Sequence, residues 1–199
     1  MKRPTKSPPK RIPGKREQRR VIHILTEGAV TERDYLNIWR QDNRNVHIQF
    51  DRDSGKSPLN IVKQAITKQK YSRRSKSAHR DSDFDEIWCV FDVDQHSNLQ
   101  DALDLAQEHN ISVALSNPCF ELWLILHYED QIAHIQNRDA QRRAQALNII
   151  VNKSLKSSKV EDLRGRYEDA KQRAQKLRDI HLERAQIGDH PPVVVLVRL

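Results

Sequence analysis

An apolar run over residues 86–93 limits the folds that this chain can adopt. It reads Glu-Ile-Trp-Cys-Val-Phe-Asp-Val and is almost unbroken by polar side chains. A strand of this kind is covered on both faces, which is typical of parallel sheets. Parallel neighbours are joined by long crossover connections, usually helices. The run therefore predicts a chain in which strands and helices alternate.

Strand-like and helix-like segments do alternate on both sides of this run. Each predicted strand is followed by a segment with apolar residues at helical spacing. The further strands are predicted at 21–25, 46–50 and 111–115. The helices are predicted from residue 31, from residue 57, over 98–109 and from residue 117. We therefore predict an α/β fold with a doubly wound parallel sheet flanked by helices.

Two of the helix starts carry residues with a capping preference. Thr31 is predicted to cap the first helix, with Asp34 at the capping-box position. Ser57 is predicted to cap the second helix, with Pro58 at its first position.

Positive charge is concentrated in two segments. Nine of the 35 Lys and Arg residues and one of the 27 Asp and Glu residues lie in residues 1–20, so this segment accounts for the whole net charge of +8. We predict a basic disordered or extended tail there, which either contacts phosphates or only aids solubility. Residues 68–80 contain six Lys or Arg and no acid and are predicted to form a basic linker or flexible arm. The residues predicted to contact nucleic acid are Arg16, Arg19, Arg20, Lys56, Arg73, Arg74 and Lys76.

The rest of the chain is predicted to form a core and an extension. Residues 21–130 are assigned to the α/β core, and residues 131–199 to a mostly helical extension that packs on it. The last residues, 193–199, fit either a late strand or a short helix. No run approaches the roughly 20 apolar residues of a membrane-spanning helix, and no secretory signal is visible. Because Cys89 and Cys119 lie inside apolar runs and are predicted to be free thiols, we expect a cytoplasmic protein without membrane contact.

Three carboxylates stand at predicted strand ends. Glu27 follows the first strand, and Asp92 and Asp94 end the third, two residues apart on one side of the backbone. Ligands bind at the carboxyl ends of such strands, so we expect the three to meet. Two like charges about 4 Å apart repel by about 4 kcal/mol at an effective dielectric constant near 20. A divalent cation relieves this repulsion, and carboxylate oxygens are ligands that suit Mg²⁺ or Mn²⁺. These ions assist the cleavage of phosphodiester bonds. We predict all three as metal ligands and catalytic residues.

Other polar residues near these strand ends are further candidates. Glu121 is predicted to be a catalytic carboxylate that binds a metal ion or supports its ligands. The alternative is that its charge is only stabilised by the helix dipole at the start of a helix. His96 is placed to contact a phosphate or a metal-bound water, or is an exposed loop histidine. Asn117 and His127 are predicted to be structural. Lys153, Lys156 and Lys159 are candidates for a lysine that stabilises the transition state, and the sequence does not distinguish among them.

One segment imitates a phosphate-binding loop. Residues 53–57 read Asp-Ser-Gly-Lys-Ser between a strand and a helix. The motif requires glycine five positions before Gly55, where this chain has Phe50. We therefore do not expect nucleotide hydrolysis, although Lys56 is placed to touch phosphate.

Several of these motifs resemble known families. Ile-Leu-Thr-Glu-Gly at 24–28 with Thr-Glu-Arg-Asp-Tyr at 31–35 resembles the first motif of Toprim domains, and Asp-Val-Asp at 92–94 resembles the second. The RloB-like proteins are a closer match, over roughly residues 10–185. The segments that carry this resemblance are Ser-Pro-Leu-Asn-Ile-Val at 57–62, Trp-Cys-Val-Phe-Asp-Val-Asp at 88–94 and Ser-Asn-Pro-Cys-Phe-Glu-Leu-Trp at 116–123.

The resemblance implies a fold and a function. It implies a Toprim/Rossmann-like core in which Glu27 is a metal ligand or general acid/base and Asp92 and Asp94 are metal ligands. It also implies a role in prokaryotic anti-phage defence and a partner ATPase of the AAA type. We therefore expect a Mg²⁺- or Mn²⁺-dependent endonuclease of DNA or RNA. A non-catalytic nucleic-acid-binding subunit, and an effector that is inactive until the ATPase releases it, stay open as alternatives, as does a homo-oligomer.

Overall fold

The structure, a computed structural model, describes residues 19–40, 45–52, 56–77, 84–93 and 96–186. For residues 73–77 and 181–186 it describes the backbone but not the side chains. Some predictions therefore fall outside the described residues. These are the basic tail before residue 19, the positions of Arg16 and Asp94, and the end of the chain after residue 186.

Four parallel strands form the central sheet. They are β1 (Arg20–Thr26), β2 (Val46–Phe50), β3 (Glu86–Asp92) and β4 (Ser112–Ser116), in the order β2-β1-β3-β4. The apolar run that predicted a parallel sheet becomes β3 and lies between β1 and β4. Cys89 and Phe91 are buried under one layer of helices and Val90 under the other. The predicted α/β fold is confirmed.

Helices cover both faces of this sheet. One face packs against α2 (Pro58–Ser77) and α3 (Leu99–Glu108). The other packs against α1 (Thr31–Arg40) and α4 (Phe120–Leu126), and the C-terminal segments join the same core. Among the described residues no helix has the length and apolar character needed to cross a membrane. The C-terminal segments are α5 (Asn137–Ala146), β5 (Ile150–Val151), β6 (Ser154–Leu155), a 3-10 turn (Ser157–Lys159), α6 (Val160–Gly165) and α7 (Tyr167–Gln186).

The predicted basic linker over residues 68–80 is wrong as far as residue 77, and residues 78–80 lie outside the described part of the chain. These residues belong to α2, which continues without a break from Pro58 to Ser77. Lys, Arg and Gln favour helix, and residues 68–77 contain no glycine or proline. Ser72 is buried, and Lys68 forms an ion pair of 2.7 Å with the buried Asp51 that follows β2. Tertiary contacts therefore hold this part of the helix against the sheet.

The predicted capping box at the start of α1 is also wrong. Thr31 is the first residue of the helix, and its hydroxyl donates to the backbone oxygen of Lys153 at 2.7 Å. The carboxylate of Asp34 accepts hydrogen bonds from Ser154 and Leu155. Both side chains therefore hold the hairpin of β5 and β6 rather than the start of their own helix. The second helix does begin at Pro58, as predicted.

His127, which follows the fully buried helix α4, lies in the core. Its Nδ1–H donates to the backbone oxygen of Trp123 at 2.9 Å, and its Nε2 accepts from the hydroxyl of Tyr35 at 3.2 Å. Burial lowers the pKa of this imidazole from 6.5 to about 4, and the nearby cations Arg173 and Arg166 act in the same direction. The prediction that His127 is structural agrees with these contacts.

Acidification should destabilise the protein through His127. The unfolded chain binds a proton at this residue near pH 6.5, whereas the folded chain binds one only near pH 4. The contribution of the neutral imidazole is therefore complete above pH 6.5 and is lost as the pH falls toward about 4. We expect thermal denaturation to show a smaller loss of stability over this range in His127→Gln than in wild type. A control variant of the exposed His134, His134→Gln, should keep the wild-type pH dependence; equal curves for all three proteins would contradict the assignment.

Candidate active site at the carboxyl edge of the sheet

A cavity of about 220 Å³ opens beside the carboxyl ends of β1 and β3. Lys153 is the one Lys or Arg among the described residues that line it. Four of its lining residues carry carboxylates, and we therefore call it the acidic cavity. These residues are Glu27, Glu32, Asp92 and Glu121.

The pairing of β1 with β3 brings Glu27 and Asp92 together. The backbone N–H of Glu27 donates to the oxygen of Val90 at 2.8 Å, which extends the parallel ladder by one residue beyond β1. The backbone N–H of Asp92 in turn donates to the Glu27 carboxylate at 3.1 Å. The two predicted site residues at the ends of neighbouring strands therefore lie in direct contact. The third, Asp94, is outside the described residues.

His96 lies against the other oxygen of the Glu27 carboxylate. Its Nε2 is 2.8 Å from Oε1 of Glu27, and both side chains are partly buried. A carboxylate that contacts an imidazole fixes the orientation of the ring and supports the transfer of a proton. The structure thus joins this predicted candidate to the site through Glu27.

Glu121 and Glu32 complete the set of carboxylates. Glu121 lies in the first turn of α4 and is buried, as is Glu32 in the first turn of α1. The carboxylate of Glu32 accepts the backbone N–H of Gly28 at 3.0 Å. Sequence reasoning did not identify Glu32 as a site residue. The signal was its place in the first turn of a helix directly after Glu27, because such a turn opens at the same edge of the sheet.

Burial and the neighbouring negative charges raise the pKa values of Asp92 and Glu32. The pKa of Asp92 is raised from 3.8 to about 8, mainly by burial and then by the charges of Glu32, Glu121 and Glu27. The pKa of Glu32 is also raised, again mainly by burial, although hydrogen bonds oppose the effect. Negative charge is therefore disfavoured in the acidic cavity unless a cation offsets it.

The donor set suits a hard divalent cation. Within the described part of the chain no three His, Cys, Asp or Glu side chains form a ready-made metal-binding group. The carboxylates of Glu27 and Glu32 instead accept hydrogen bonds from the protein. Mg²⁺ needs only one or two protein carboxylates and takes its other ligands from water and phosphate. Asp92 and Glu121 supply such oxygens, so the residues that line the acidic cavity fit Mg²⁺ or Mn²⁺.

The hairpin of β5 and β6 brings Lys153 to the acidic cavity. Its turn residues Asn152 and Lys153 both have positive φ, 48° and 68°, a turn geometry that matches the twist of hairpin strands but favours glycine or asparagine. The Thr31 hydroxyl holds this turn through the backbone oxygen of Lys153. Oδ2 of Asp34 accepts hydrogen bonds from the Ser154 hydroxyl at 2.8 Å and from the Leu155 N–H at 3.0 Å. A strained lysine held in this way points to a functional site.

The other two candidate lysines have partners elsewhere. Lys156 donates to the side-chain oxygen of Asn148. Lys159 lies 3.4 Å from Asp162 and above the ring of Tyr128. The structure thus distinguishes Lys153 from the two lysines that the sequence could not separate from it.

Most of the residues predicted to bind nucleic acid lie at the opposite edge of the sheet. Arg19 and Arg20 stand at the start of β1, where Arg20 forms an ion pair with Glu86 at the start of β3. Helix α2 runs from the end of β2 to the start of β3 and therefore takes its last turns to the same edge. Those turns contain Arg73, Arg74 and Lys76.

Lys56 is the exception in this group. It precedes α2 at the carboxyl edge, and its Nζ donates to the side-chain oxygen of Gln64 at 2.9 Å. Gln64 in turn donates to the buried Asp51 at 3.1 Å. Lys56 therefore takes part in a network around the end of β2, and Gly55 of the loop-like segment lies outside the described residues.

Comparison of the sequence with models of known protein families identifies one family. A model described as RloB-like protein matches residues 22–193, a span that includes every described residue of the acidic cavity. No curated protein matches the sequence. The match covers most of the chain and spans the segments 57–62, 88–94 and 116–123. The chain therefore belongs to the RloB-like protein family.

Proposed function

We propose that this protein is a nuclease that uses Mg²⁺ or Mn²⁺ to cleave phosphodiester bonds of DNA or RNA. The observation that carries the proposal is the convergence of four carboxylates and Lys153 on one cavity at the carboxyl edge of the sheet. Ligand sites in parallel α/β sheets lie at this edge. Clustered carboxylates beside a lysine suit a metal ion and a phosphate group together.

Each residue has a distinct role in this proposal. Asp92 and Glu121 would hold the ion, with Asp94 as the further ligand predicted from sequence. When bound, the ion would supply Lewis-acid activation of the phosphate and of a water. Glu27 would accept the proton of the attacking water and share it with His96, 2.8 Å away, as the water oxygen bonds to phosphorus. The bond from phosphorus to the leaving oxygen breaks, and the proton held by this pair can pass to that oxygen. Lys153 offsets the negative charge that develops on the phosphate.

The biological setting of the proposal rests on the family. The RloB-like resemblance supports a Toprim-type endonuclease that acts as the effector of a prokaryotic anti-phage defence system. It also supports a partner ATPase of the AAA type and a cytoplasmic location. An effector held inactive until that ATPase releases it is part of the same proposal.

A cleavage panel tests the proposed activity. Purified protein is incubated with single- and double-stranded DNA, tRNA and other RNA in Mg²⁺, Mn²⁺ or EDTA, with and without a candidate partner ATPase of the AAA type. We expect metal-dependent products from wild type and from the control Glu168→Gln, which alters an exposed residue on α7. Glu27→Gln should yield no product. Cleavage by Glu27→Gln at the wild-type rate would falsify the role of the acidic cavity.

A nucleic-acid-binding subunit is the second candidate function. It is favoured by the basic residues at the amino edge of the sheet, where Arg19, Arg20 and the last turns of α2 lie away from the acidic cavity. Such a subunit should bind DNA or RNA with an affinity that falls steeply with salt and does not depend on metal. Binding without any product, in the presence of both metal and ATPase, would favour this candidate over the nuclease.

Gly28→Ala should impair the acidic cavity with little effect on the fold. A Cβ at this position would lie 2.0 Å from an oxygen of the Glu32 carboxylate, so the tip of that side chain must move. We expect loss of the hydrogen bond from Gly28 to Glu32, which corresponds to about 1 kcal/mol of stability. We also expect cleavage to fall about tenfold, because a charge in the site is displaced. The control is Gly165→Ala, whose Cβ meets no atom within 4 Å; equal activity of both variants would contradict this prediction.

A further inference from the structure

A second, larger cavity lies at the same edge of the sheet, where β3 and β4 end. Its volume is about 550 Å³. Val93 and Asn117, the residues directly after these strands, form part of its wall, and the Val93 N–H donates to Ser116 O at 2.7 Å. Amide and basic side chains supply its polar lining, and we call it the amide cavity. These side chains belong to Asn117, His134, Gln136, Asn137 and Arg138.

The amide cavity and the acidic cavity share a boundary. Asp92 lines the acidic cavity and Val93 lines the amide cavity, as expected for successive residues of an extended chain, which face opposite sides. Pro118 also lines the amide cavity and Phe120, the first residue of α4, lines the acidic cavity. The Cα atoms of consecutive residues are about 3.8 Å apart. One nucleotide is therefore long enough to reach from one cavity into the other.

The amide cavity differs from the acidic cavity in charge. None of its described lining residues is acidic. Further along the same helix, α5, Arg142 and Arg143 form ion pairs with Asp139 and Glu129. Within the described part of the chain Arg138 has no such partner, so its guanidinium is available for a phosphate, which it binds with two parallel hydrogen bonds. An anion can therefore bind here without a metal ion.

The remaining lining residues suit a base and a sugar. Side-chain amides, here those of Asn117, Gln136 and Asn137, recognise the donor and acceptor edges of bases. Val93, Pro118 and Ile135 supply apolar surface. Cavities of about 300–1,000 Å³ that combine apolar walls with a few polar groups are typical of small-molecule sites. The amide cavity has the size and the chemistry for one nucleotide.

We propose that the amide cavity binds the nucleotide next to the phosphodiester that lies at the acidic cavity, with Arg138 on its phosphate and the amides on its base. The inference rests on the proposed nuclease function for its place in a reaction, but the binding itself requires no metal. This edge of the sheet would then contain a site that recognises one nucleotide of the substrate beside the site that cleaves it.

Binding measured in EDTA tests this inference without cleavage. Fluorescence anisotropy of short, end-labelled single-stranded DNA and RNA is recorded for wild type, Arg138→Ala and Arg142→Ala. We expect Arg138→Ala to bind about tenfold more weakly than wild type. Arg142→Ala is the matched control, because it removes the same charge from the same helix outside the cavity, and it should bind as wild type does. Equal affinities of the two variants, or no binding by wild type, would overturn the proposal.

Competition experiments separate a nucleotide site from a site for phosphate alone. Nucleoside 5′-monophosphates should displace the labelled probe from wild type at lower concentrations than inorganic phosphate does, because the amides also contact the base. Equal competition by inorganic phosphate would overturn the assignment of a nucleotide.

The two proposals fail in different ways. If wild type binds the probes through Arg138 but no substrate is cleaved with metal and ATPase, the nuclease is wrong and the nucleotide site stands. If the protein cleaves its substrate and Arg138→Ala binds the probes as Arg142→Ala does, the nucleotide site is wrong and the nuclease stands.

Discussion

Asp92→Asn is expected to abolish cleavage and, in the absence of metal, to stabilise the fold. Asp92 lines the acidic cavity, where burial and the charges of Glu32, Glu121 and Glu27 raise its pKa to about 8. The amide keeps the shape of the side chain but is a poor ligand for Mg²⁺. We expect the rate of cleavage to fall by about 1,000-fold or more, as is usual when a group that holds catalytic charge is lost.

The gain in stability should depend on pH in a defined direction. A carboxyl whose pKa is about 8 when folded and 3.8 when unfolded contributes most stability at acidic pH and loses it as the pH rises toward 8. Asparagine has no such titration. In EDTA, the melting temperature of Asp92→Asn should therefore exceed that of wild type increasingly as the pH is raised through about 8. One unit of pKa difference corresponds to about 1.4 kcal/mol, so the gain should be large enough to measure by thermal denaturation.

Two outcomes would contradict this account of Asp92. One is an Asp92→Asn variant that retains wild-type cleavage. The other is a variant that is less stable than wild type in EDTA above pH 8, because a carboxylate that stabilises the metal-free fold is not crowded by like charges. Glu168→Gln, an exposed substitution on α7, should match wild type in both measurements.

Lys153→Gly is expected to remove most of the activity while it stabilises the hairpin. Lys153 has a φ of 68°, and a non-glycine residue in this region is strained by about 1–3 kcal/mol. Glycine relieves the strain but lacks the cation that we assign to the developing charge of the phosphate. We expect kcat to fall about 100-fold, with little change in the affinity for substrate measured without metal, and a higher melting temperature. Lys156→Ala, which removes a neighbouring lysine paired with Asn148, should leave kcat unchanged.

Variants of Asp34 test whether the position of Lys153 matters for activity. Its carboxylate holds both Ser154 and Leu155 of the hairpin, so Asp34→Ala should also lower kcat, by about tenfold through misplacement of Lys153. Asp34→Asn retains an oxygen that accepts these bonds and should restore most of the activity. In the Lys153→Gly background, Asp34→Ala should have no further effect on kcat. Independent, multiplicative losses would show that Asp34 does not act through Lys153.

The sequence predicted the parts of the site that depend on strand ends. An almost continuous apolar run is typical of a strand buried inside a parallel sheet, and parallel strands present their carboxyl ends at one edge. Glu27 and Asp92 follow from this rule alone, and the structure places the carboxylate of Glu27 against the N–H of Asp92. The α/β class follows from the same alternation of strands and helices.

The parts that escaped prediction depend on contacts between distant segments. Thr31 and Lys153 are 122 residues apart in sequence and are joined by a single hydrogen bond. Nothing local to Lys153 distinguishes it from Lys156 or Lys159; only the packing of the hairpin on α1 does. Thr31 and Asp34 gave a capping pattern that was wrong for the same reason, because their side chains bond to the hairpin.

The basic end of α2 shows a different limit of sequence reasoning. Its lysines and arginines were interpreted as a flexible arm for nucleic acid because charge is frequent in linkers. The same residues are good helix formers, and the pairing of Lys68 with the buried Asp51 fixes the helix to the sheet. The direction of α2 then places these cations at the edge opposite the acidic cavity, a consequence of topology that composition does not reveal.

A Mn²⁺ titration followed by electron paramagnetic resonance, which distinguishes free from bound ion, tests whether the acidic cavity holds a metal ion. We predict saturable binding by wild type and by Glu168→Gln, and loss of that binding in Asp92→Asn. Competition by Mg²⁺ should release the bound Mn²⁺, because both ions use the same oxygen ligands. Equal Mn²⁺ binding by wild type and Asp92→Asn would contradict the assignment of the acidic cavity as a metal site, and with it the proposed chemistry.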